Sequence, residues 1–122
     1  GIDSVDASNG PYSFTIDATS MAIDPAILIP EVFALHQNYP NPFNPTTTLR
    51  YDLPEDANVN ITIYDMMGRV VKTMVNTQQN AGFKSVRWNA TNDKGAPVSA
   101  GLYLYTIEAG EYRQTRKMVL LK

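Results

Sequence analysis

The sequence predicts an all-β fold, a sandwich or barrel of about seven short antiparallel strands. Three observations carry that expectation. Apolar and polar residues alternate with a period of two in run after run. Turn residues separate those runs at intervals of roughly 8–12 residues, the spacing of sandwiches and barrels. No apolar pattern repeats at the helical period over a useful length, and eight Pro and seven Gly punctuate the chain instead.

The regular strands start after residue 45. Leu49, Tyr51 and Leu53 alternate with Thr48, Arg50 and Asp52, and Pro54 ends the run. Val59, Ile61 and Ile63 alternate with Asn60 and Thr62. Asp65-Met66-Met67-Gly68 reads as a turn, with Asp first and Gly where positive φ is needed. Residues 69–75 are expected to return as the partner strand, and 77–82 to form a polar loop. Residues 83–89 are another strand, carrying the sole Trp, Trp88. Asn92-Asp93-Lys94-Gly95 is a second turn of the same kind, 96–100 a short connector, and Gly101 opens a final hairpin turning at Ala109-Gly110. Met118, Val119, Leu120 and Leu121 stand just before the last residue, Lys122. Chain ends are usually frayed and polar unless tied down, so this tail is expected to dock in a sheet, to be read by a partner, or both. The expected core is Leu49, Tyr51, Leu53, Val59, Ile61, Ile63, Val71, Val86, Trp88, Tyr103, Tyr105, Ile107 and part of 118–121.

The first third reads differently. Residues 1–10 are polar and turn-rich, and Tyr12-Ser13-Phe14-Thr15-Ile16 alternates as a half-buried strand does. Residues 1–18 are expected to be the tail of a preceding β-domain or an added strand, 19–38 a linker, and 39–122 the main body. A short helix capped at Asp24-Pro25-Ala26 is an alternative to a plain tether. Tyr39-Pro40-Asn41-Pro42-Phe43-Asn44-Pro45 is stiff before it meets anything, since each proline fixes its own φ and restricts the residue ahead of it. It is read as a rigid domain entrance, with Tyr39 and Phe43 packed on a sheet face and the Asn side chains serving unpaired backbone groups. A proline-rich ligand for another protein is the second reading.

Composition and motifs exclude more than they suggest. With 43% apolar and 18% charged residues the chain is ordinary globular material. Ten basic against twelve acidic residues leave a net charge of −2, without the basic excess that nucleic acid demands. No apolar run nears the roughly 18 residues of a membrane helix. There is no cysteine, so disulfides and thiolate chemistry are absent, and redox compartment stays undecided. The chain opens on Gly1 without a leader pattern and is expected to be a piece of something longer. The lone histidine, His36, has no second His or Cys to share a metal, and is expected at a surface or interface. Asp3, Asp6 and Asn9 lack the alternating spacing of a calcium loop. Glu55 and Asp56 are adjacent and point apart, which does not set up a glycosidase pair. Asn60-Ile61-Thr62 and Asn89-Ala90-Thr91 match the glycosylation triplet, the first inside an expected strand. No phosphate loop, nucleophile elbow or dinucleotide fingerprint occurs. Trp88, Tyr103, Tyr105 and Arg87 would stack sugars only if they faced solvent, whereas such aromatics are usually core. Arg113, Arg116, Lys117 and Lys122 read as the solvated face of an edge strand. An enzyme is the least expected class, and no cofactor or metal is expected.

Taken in order, several motifs carry a family resemblance. They are Tyr39-Pro40-Asn41-Pro42-Phe43-Asn44-Pro45; Ile63-Tyr64-Asp65 with Gly68-Arg69-Val70-Val71; Trp88 ahead of Asp93-Lys94-Gly95; Gly101-Leu102-Tyr103-Leu104-Tyr105; and Lys117-Met118-Val119-Leu120-Leu121-Lys122. This series resembles the type A C-terminal sorting domain of the type IX secretion system. It is also similar to the immunoglobulin-like domain of flagellar hook-capping proteins. The resemblance runs from about Leu35 to the last residue. It implies an immunoglobulin-like β-sandwich that directs a larger exported protein, by way of the periplasm, through the outer-membrane translocon to the cell surface or medium. The implied partners are that translocon, its shuttle components and a surface sortase-like protease, with no nucleic acid and no membrane insertion. Cleavage, where it happens, would fall in 19–38. The implied sorting signal maps onto Gly101, Tyr103, Lys117, Met118, Val119, Leu120, Leu121 and Lys122. Tyr39, Pro40, Asn41, Pro42, Tyr64, Asp65, Gly68, Trp88 and Gly95 would be structural members of the motif. Two alternatives stand beside it: a structural interaction domain of the hook-capping kind, and a carbohydrate-binding accessory module. A receptor is further expected to add its own sheet edge to the terminal strand.

Overall fold

The computed structural model describes residues 28–122. The readings made for 1–18 and for Asp24-Pro25-Ala26 lie outside the described residues. Seven strands follow in order: β1 (Ala34–Leu35), β2 (Thr47–Leu53), β3 (Ala57–Asp65), β4 (Val70–Gln79), β5 (Gly82–Trp88), β6 (Gly101–Ala109) and β7 (Tyr112–Leu120). They form two antiparallel sheets, one ordered β1-β2-β5 and the other β4-β3-β6-β7. The architecture is an immunoglobulin-like β-sandwich, as the strand pattern and the resemblance led one to expect.

Alternation explains the layers. On β2, Thr47, Leu49, Tyr51 and Leu53 face inward and are buried, while Thr48, Arg50 and Asp52 face out. On β3 and β6, the central strands of the larger sheet, Val59, Ile61, Ile63, Tyr103, Tyr105 and Ile107 fill the opposing inner face. The expected core is buried with two exceptions. Val71 and Val86 are only half-buried, because β4 and β5 are edge strands that the opposite layer does not fully cover. Leu35, Phe43, Ala57, Val75, Ala90 and Ala109 complete the core.

An aromatic ladder crosses the sandwich. Phe43 packs on Trp88 with ring centroids 5.7 Å apart and tilted, and Trp88 meets Tyr103 edge-on at 5.5 Å. The three rings come from the proline-rich segment, the smaller sheet and the larger sheet, so one contact chain holds all three together. Such pairs add about 0.5–1.5 kcal/mol each beyond the area they bury.

Several expectations need correction. Residues 77–79, read as loop, belong to β4 and pair with Ala57, Asn58 and Val59 of β3. Their uniformly polar side chains conceal the strand, since an open edge has little to bury. Tyr39 does not pack on the body but stands 76% exposed, and only Phe43 turns inward. The last strand stops at Leu120, two residues short of the last residue. Within the stretch read as linker, Ala34 and Leu35 pair with Asp52 and Tyr51.

The two turns use one hydrogen-bond device with different chemistry. In the β3–β4 turn, Asp65 Oδ1 accepts from the backbone N–H of Met67 (2.9 Å) and Arg69 (3.0 Å), and Oδ2 from Arg69 Nε (2.9 Å). In the second turn Asn92 Oδ1 accepts from Lys94 N–H and Ala96 N–H, both at 3.0 Å. Gly68 and Gly95 supply the required positive φ of 85° and 84°. The Arg69 N–H bond, above all, with help from the Arg69 guanidinium and Met67 N–H, holds the Asp65 carboxyl below its ordinary pKa. A lowered folded-state pKa contributes stability that is complete above the ordinary carboxylate value and is lost as pH falls through the lowered one. Asp65→Asn should therefore keep the turn, as Asn92 does, while flattening the acid limb of stability below the ordinary carboxylate pKa of about 4. Urea unfolding across that range checks it, and an unchanged acid limb would refute it.

Candidate functional site

The sorting-signal residues that the resemblance nominates lie at one end of the larger sheet. β7 is an edge strand paired with β6, with Tyr103 opposite Met118 and Gly101 opposite Leu120. Met118 and Leu120 therefore point into the core and are fully buried. Lys117, Val119 and Leu121 alternate outward: Lys117 is exposed, Val119 half-buried and Leu121 51% exposed, with Lys122 exposed beyond.

The outer edge of this strand is not free. Phe43 N–H donates to Val119 C=O (3.0 Å), Leu121 N–H donates to Phe43 C=O (2.9 Å), and Asn41 Oδ1 accepts from Val119 N–H (3.0 Å). Gln37 Nε2 adds a bond to Lys117 C=O at 2.8 Å. The proline-rich segment thus lies along the tail, with a parallel bridge between Phe43 and Leu120. Proline is well suited to this position, because it stiffens the covering segment and offers no N–H of its own to a further strand. Over residues 117–121 a receptor cannot add a strand to β7, which corrects the edge-pairing expectation. What the tail does present is side chains.

Around it the entrance is locked down. Tyr105 O–H donates to His36 C=O (2.8 Å) and accepts from Asn38 N–H (2.8 Å), and burial pushes its phenol pKa up. Pro40 C=O accepts from Thr47 Oγ1 (2.8 Å) and from the buried Asn38 Nδ2 (3.1 Å). Arg116 Nε donates to Leu35 C=O at 2.5 Å, and Phe33 stacks on Tyr112 with centroids 5.3 Å apart. Tyr103 O–H donates to Ser99 C=O (2.5 Å); burial first, then the nearby Asp65 charge, raises its pKa. Trp88 Nε1–H donates to Thr91 C=O at 2.8 Å.

Of the nominated residues, Gly101, Tyr103 and 117–122 lie together with Asn41 and Phe43. Tyr64, Asp65 and Gly68 belong to the β3–β4 turn region, and Gly95 to the second turn. Trp88, Tyr103 and Tyr105 are buried, which removes them as a sugar-stacking platform. His36 sits at the surface with Nε2 2.9 Å from Asp52 Oδ2. Sequence reasoning missed Gln37 and the Phe43 backbone as holders of the tail. The Asn residues of the proline segment were the available signal. Among the described residues no group of three His, Cys, Asp or Glu side chains could hold a metal, and no helix is long and apolar enough to cross a membrane.

A two-layer antiparallel body with its terminal ribbon clamped by its own entrance defines an immunoglobulin-like domain. The chain belongs to the FlgD Ig-like domain family, which matches residues 43–112. Among solved structures it is similar to dimeric latent PorU from Porphyromonas gingivalis, with 23% identity and a TM-score of 0.57, covering 71% of this chain and 9% of that one. It is also similar to PorZ of the same organism, an essential surface component of the type-IX secretion system, with 21% identity and a TM-score of 0.50, covering 72% of this chain and 11% of that one. A third structure, FlgD from P. aeruginosa, shares 25% identity at a TM-score of 0.48, covering 61% of this chain and 58% of that one. The chain thus spans about a tenth of the length of the first two, and those two establish a shared fold. No curated protein matches it.

Proposed function

We propose that this domain is a non-catalytic C-terminal sorting module, directing a larger exported protein through the type IX translocon to the cell surface or medium. The observation that carries the reading is the ordered motif series closing on a tail whose backbone is clamped while Lys117, Leu121 and Lys122 stay accessible. A receptor serving unrelated cargo needs a module that folds by itself and shows a fixed surface, because a preorganised ligand loses less entropy on binding. The same fold in PorZ, described as a type-IX surface component, supports it. Translocon and shuttle components are the proposed partners, with a surface sortase-like protease acting on the stretch ahead of the body. Leu35 and Asn38 are buried, so within 19–38 the proposed cleavage position lies before Leu35.

The experiment is export of a reporter joined to residues 28–122 in a bacterium with type IX secretion. The intact fusion should reach the surface or medium. Lys117→Ser with Leu121→Ser and loss of Lys122 should leave the fusion folded and trapped in the periplasm. Undiminished export of that variant would overturn the reading. The family match favours one alternative, a structural interaction domain of the FlgD kind. Failure of the intact fusion to leave the periplasm would select it.

A further inference from the structure

We propose that the solvent face of the three-stranded sheet binds an extended acidic peptide, a role that goes beyond export and does not depend on it. The register lays this face out as three rows: Ala34–Asp52–Phe83, His36–Arg50–Ser85 and Tyr39–Thr48–Arg87. Arg50 occupies the centre of β2, hydrogen-bonded on both sides, so it guards no sheet edge. Arg87 is its diagonal neighbour across the β2–β5 pair. Among the described residues the ion pairs are His36–Asp52, Arg69–Asp65 and Arg113–Glu108, and none engages Arg50, Lys72, Lys84 or Arg87.

Two clefts carry these cations, the second where β5 meets β4 of the larger sheet. One, of about 330 Å³, is lined by Arg50, Phe83 and Ser85, with Lys84 reaching it from the other side of β5; the other, of about 470 Å³, by Arg87 of β5 and Lys72 of β4. Asp52 is the one carboxylate lining either cleft, and His36 Nε2 already occupies it. The wider charge balance agrees. All ten Lys and Arg lie within residues 28–122, whereas Asp3, Asp6, Asp17 and Asp24 precede it, leaving eight of the twelve acids.

Geometry selects a peptide over other anions. Diagonal neighbours on an antiparallel pair stand about 7–8 Å apart. Carboxylates at alternate positions of an extended chain recur about every 6.5–7 Å. Such a chain laid on the pleat can meet Arg50 and Arg87 in turn. The exposed rings of Phe83 and Tyr39 (65% and 76% accessible) stand at opposite corners of the face, on the diagonal that crosses the Arg50–Arg87 line at Arg50, and offer apolar contact on either side of it. Four cations over two clefts are too few for the long phosphate track of a nucleic acid.

The test is fluorescence anisotropy of a labelled octapeptide alternating Asp with Thr and starting with Phe, titrated with the full 122-residue chain at about 50 mM salt. The chain should bind it, and Arg50→Glu with Arg87→Glu should weaken binding about tenfold or more. Reversal of Lys94 and Arg113, away from this face, should change it less than about twofold. Affinity should fall as salt rises. No binding by the unmodified chain, or equal binding by the Arg50/Arg87 variant, overturns the proposal. Equal binding of the peptide with Asn in place of Asp does so too. A heparin fragment that displaces the peptide at equal concentration overturns the choice of a peptide.

Discussion

Trp88→Ala is expected to lower the unfolding free energy by about 3–5 kcal/mol, the cost of removing a large ring from a site that cannot collapse around the loss. Trp88 has no solvent exposure and touches Phe43 on one side and Tyr103 on the other. Its removal opens a cavity and breaks both steps of the ladder joining the two sheets and the entrance segment. The indole also gives Thr91 C=O its hydrogen bond, which is orphaned in the variant. Against a total stability of about 5–15 kcal/mol for a domain this size, the loss is a large fraction. Urea unfolding by circular dichroism reads it as a lowered midpoint with little change in slope. A loss below about 1 kcal/mol would mean that the ring is not the keystone its contacts make it.

The second large effect comes from the tail. Removing residues 118–122 takes out Met118 and Leu120, both fully buried, and strips the partner from Phe43. Each buried side chain of that size is worth about 2–5 kcal/mol when truncated to alanine. The combined loss is of the order of the whole folding free energy, about 5–15 kcal/mol. The truncated chain should show no cooperative unfolding transition. Replacing exposed Leu121 and Lys117 by Ser should shift stability by about 0.5 kcal/mol or less. A cooperative transition near the native midpoint in the truncated chain would contradict this account. The contrast matters for testing the proposed export role as well, because wholesale deletion confounds recognition with unfolding, and only the surface variants separate them.

Alternation made most of the sandwich legible. Leu49, Tyr51 and Leu53 against Thr48, Arg50 and Asp52 announce a strand with one wet face, and each lies on its expected side. Asp65 to Gly68 and Asn92 to Gly95 were equally readable, because side-chain acceptor and positive-φ glycine are local requirements. What escaped is non-local. β1 is two residues long and exists because β2 offers it an edge. Residues 77–79 carry no apolar face, yet they pair because Ala57, Asn58 and Val59 lie opposite. The apolar run Met118 to Leu121 signals a tail that is docked or read by a partner, but not its clamp, since nothing near residue 43 says that its partner is Val119. Likewise each cation on the three-stranded face looks like a solvated position by itself. Only strand register brings Arg50 beside Arg87.

The bond between Asn41 and Val119 spans 78 residues of chain. Such long-range closures form late, after the intervening segments have condensed. The clamp therefore cannot shut until residues 117–121 have folded back onto the entrance segment. A molecule whose tail has not docked would lack it altogether. A partner that reads the closed form would thereby tell folded molecules from unfolded ones.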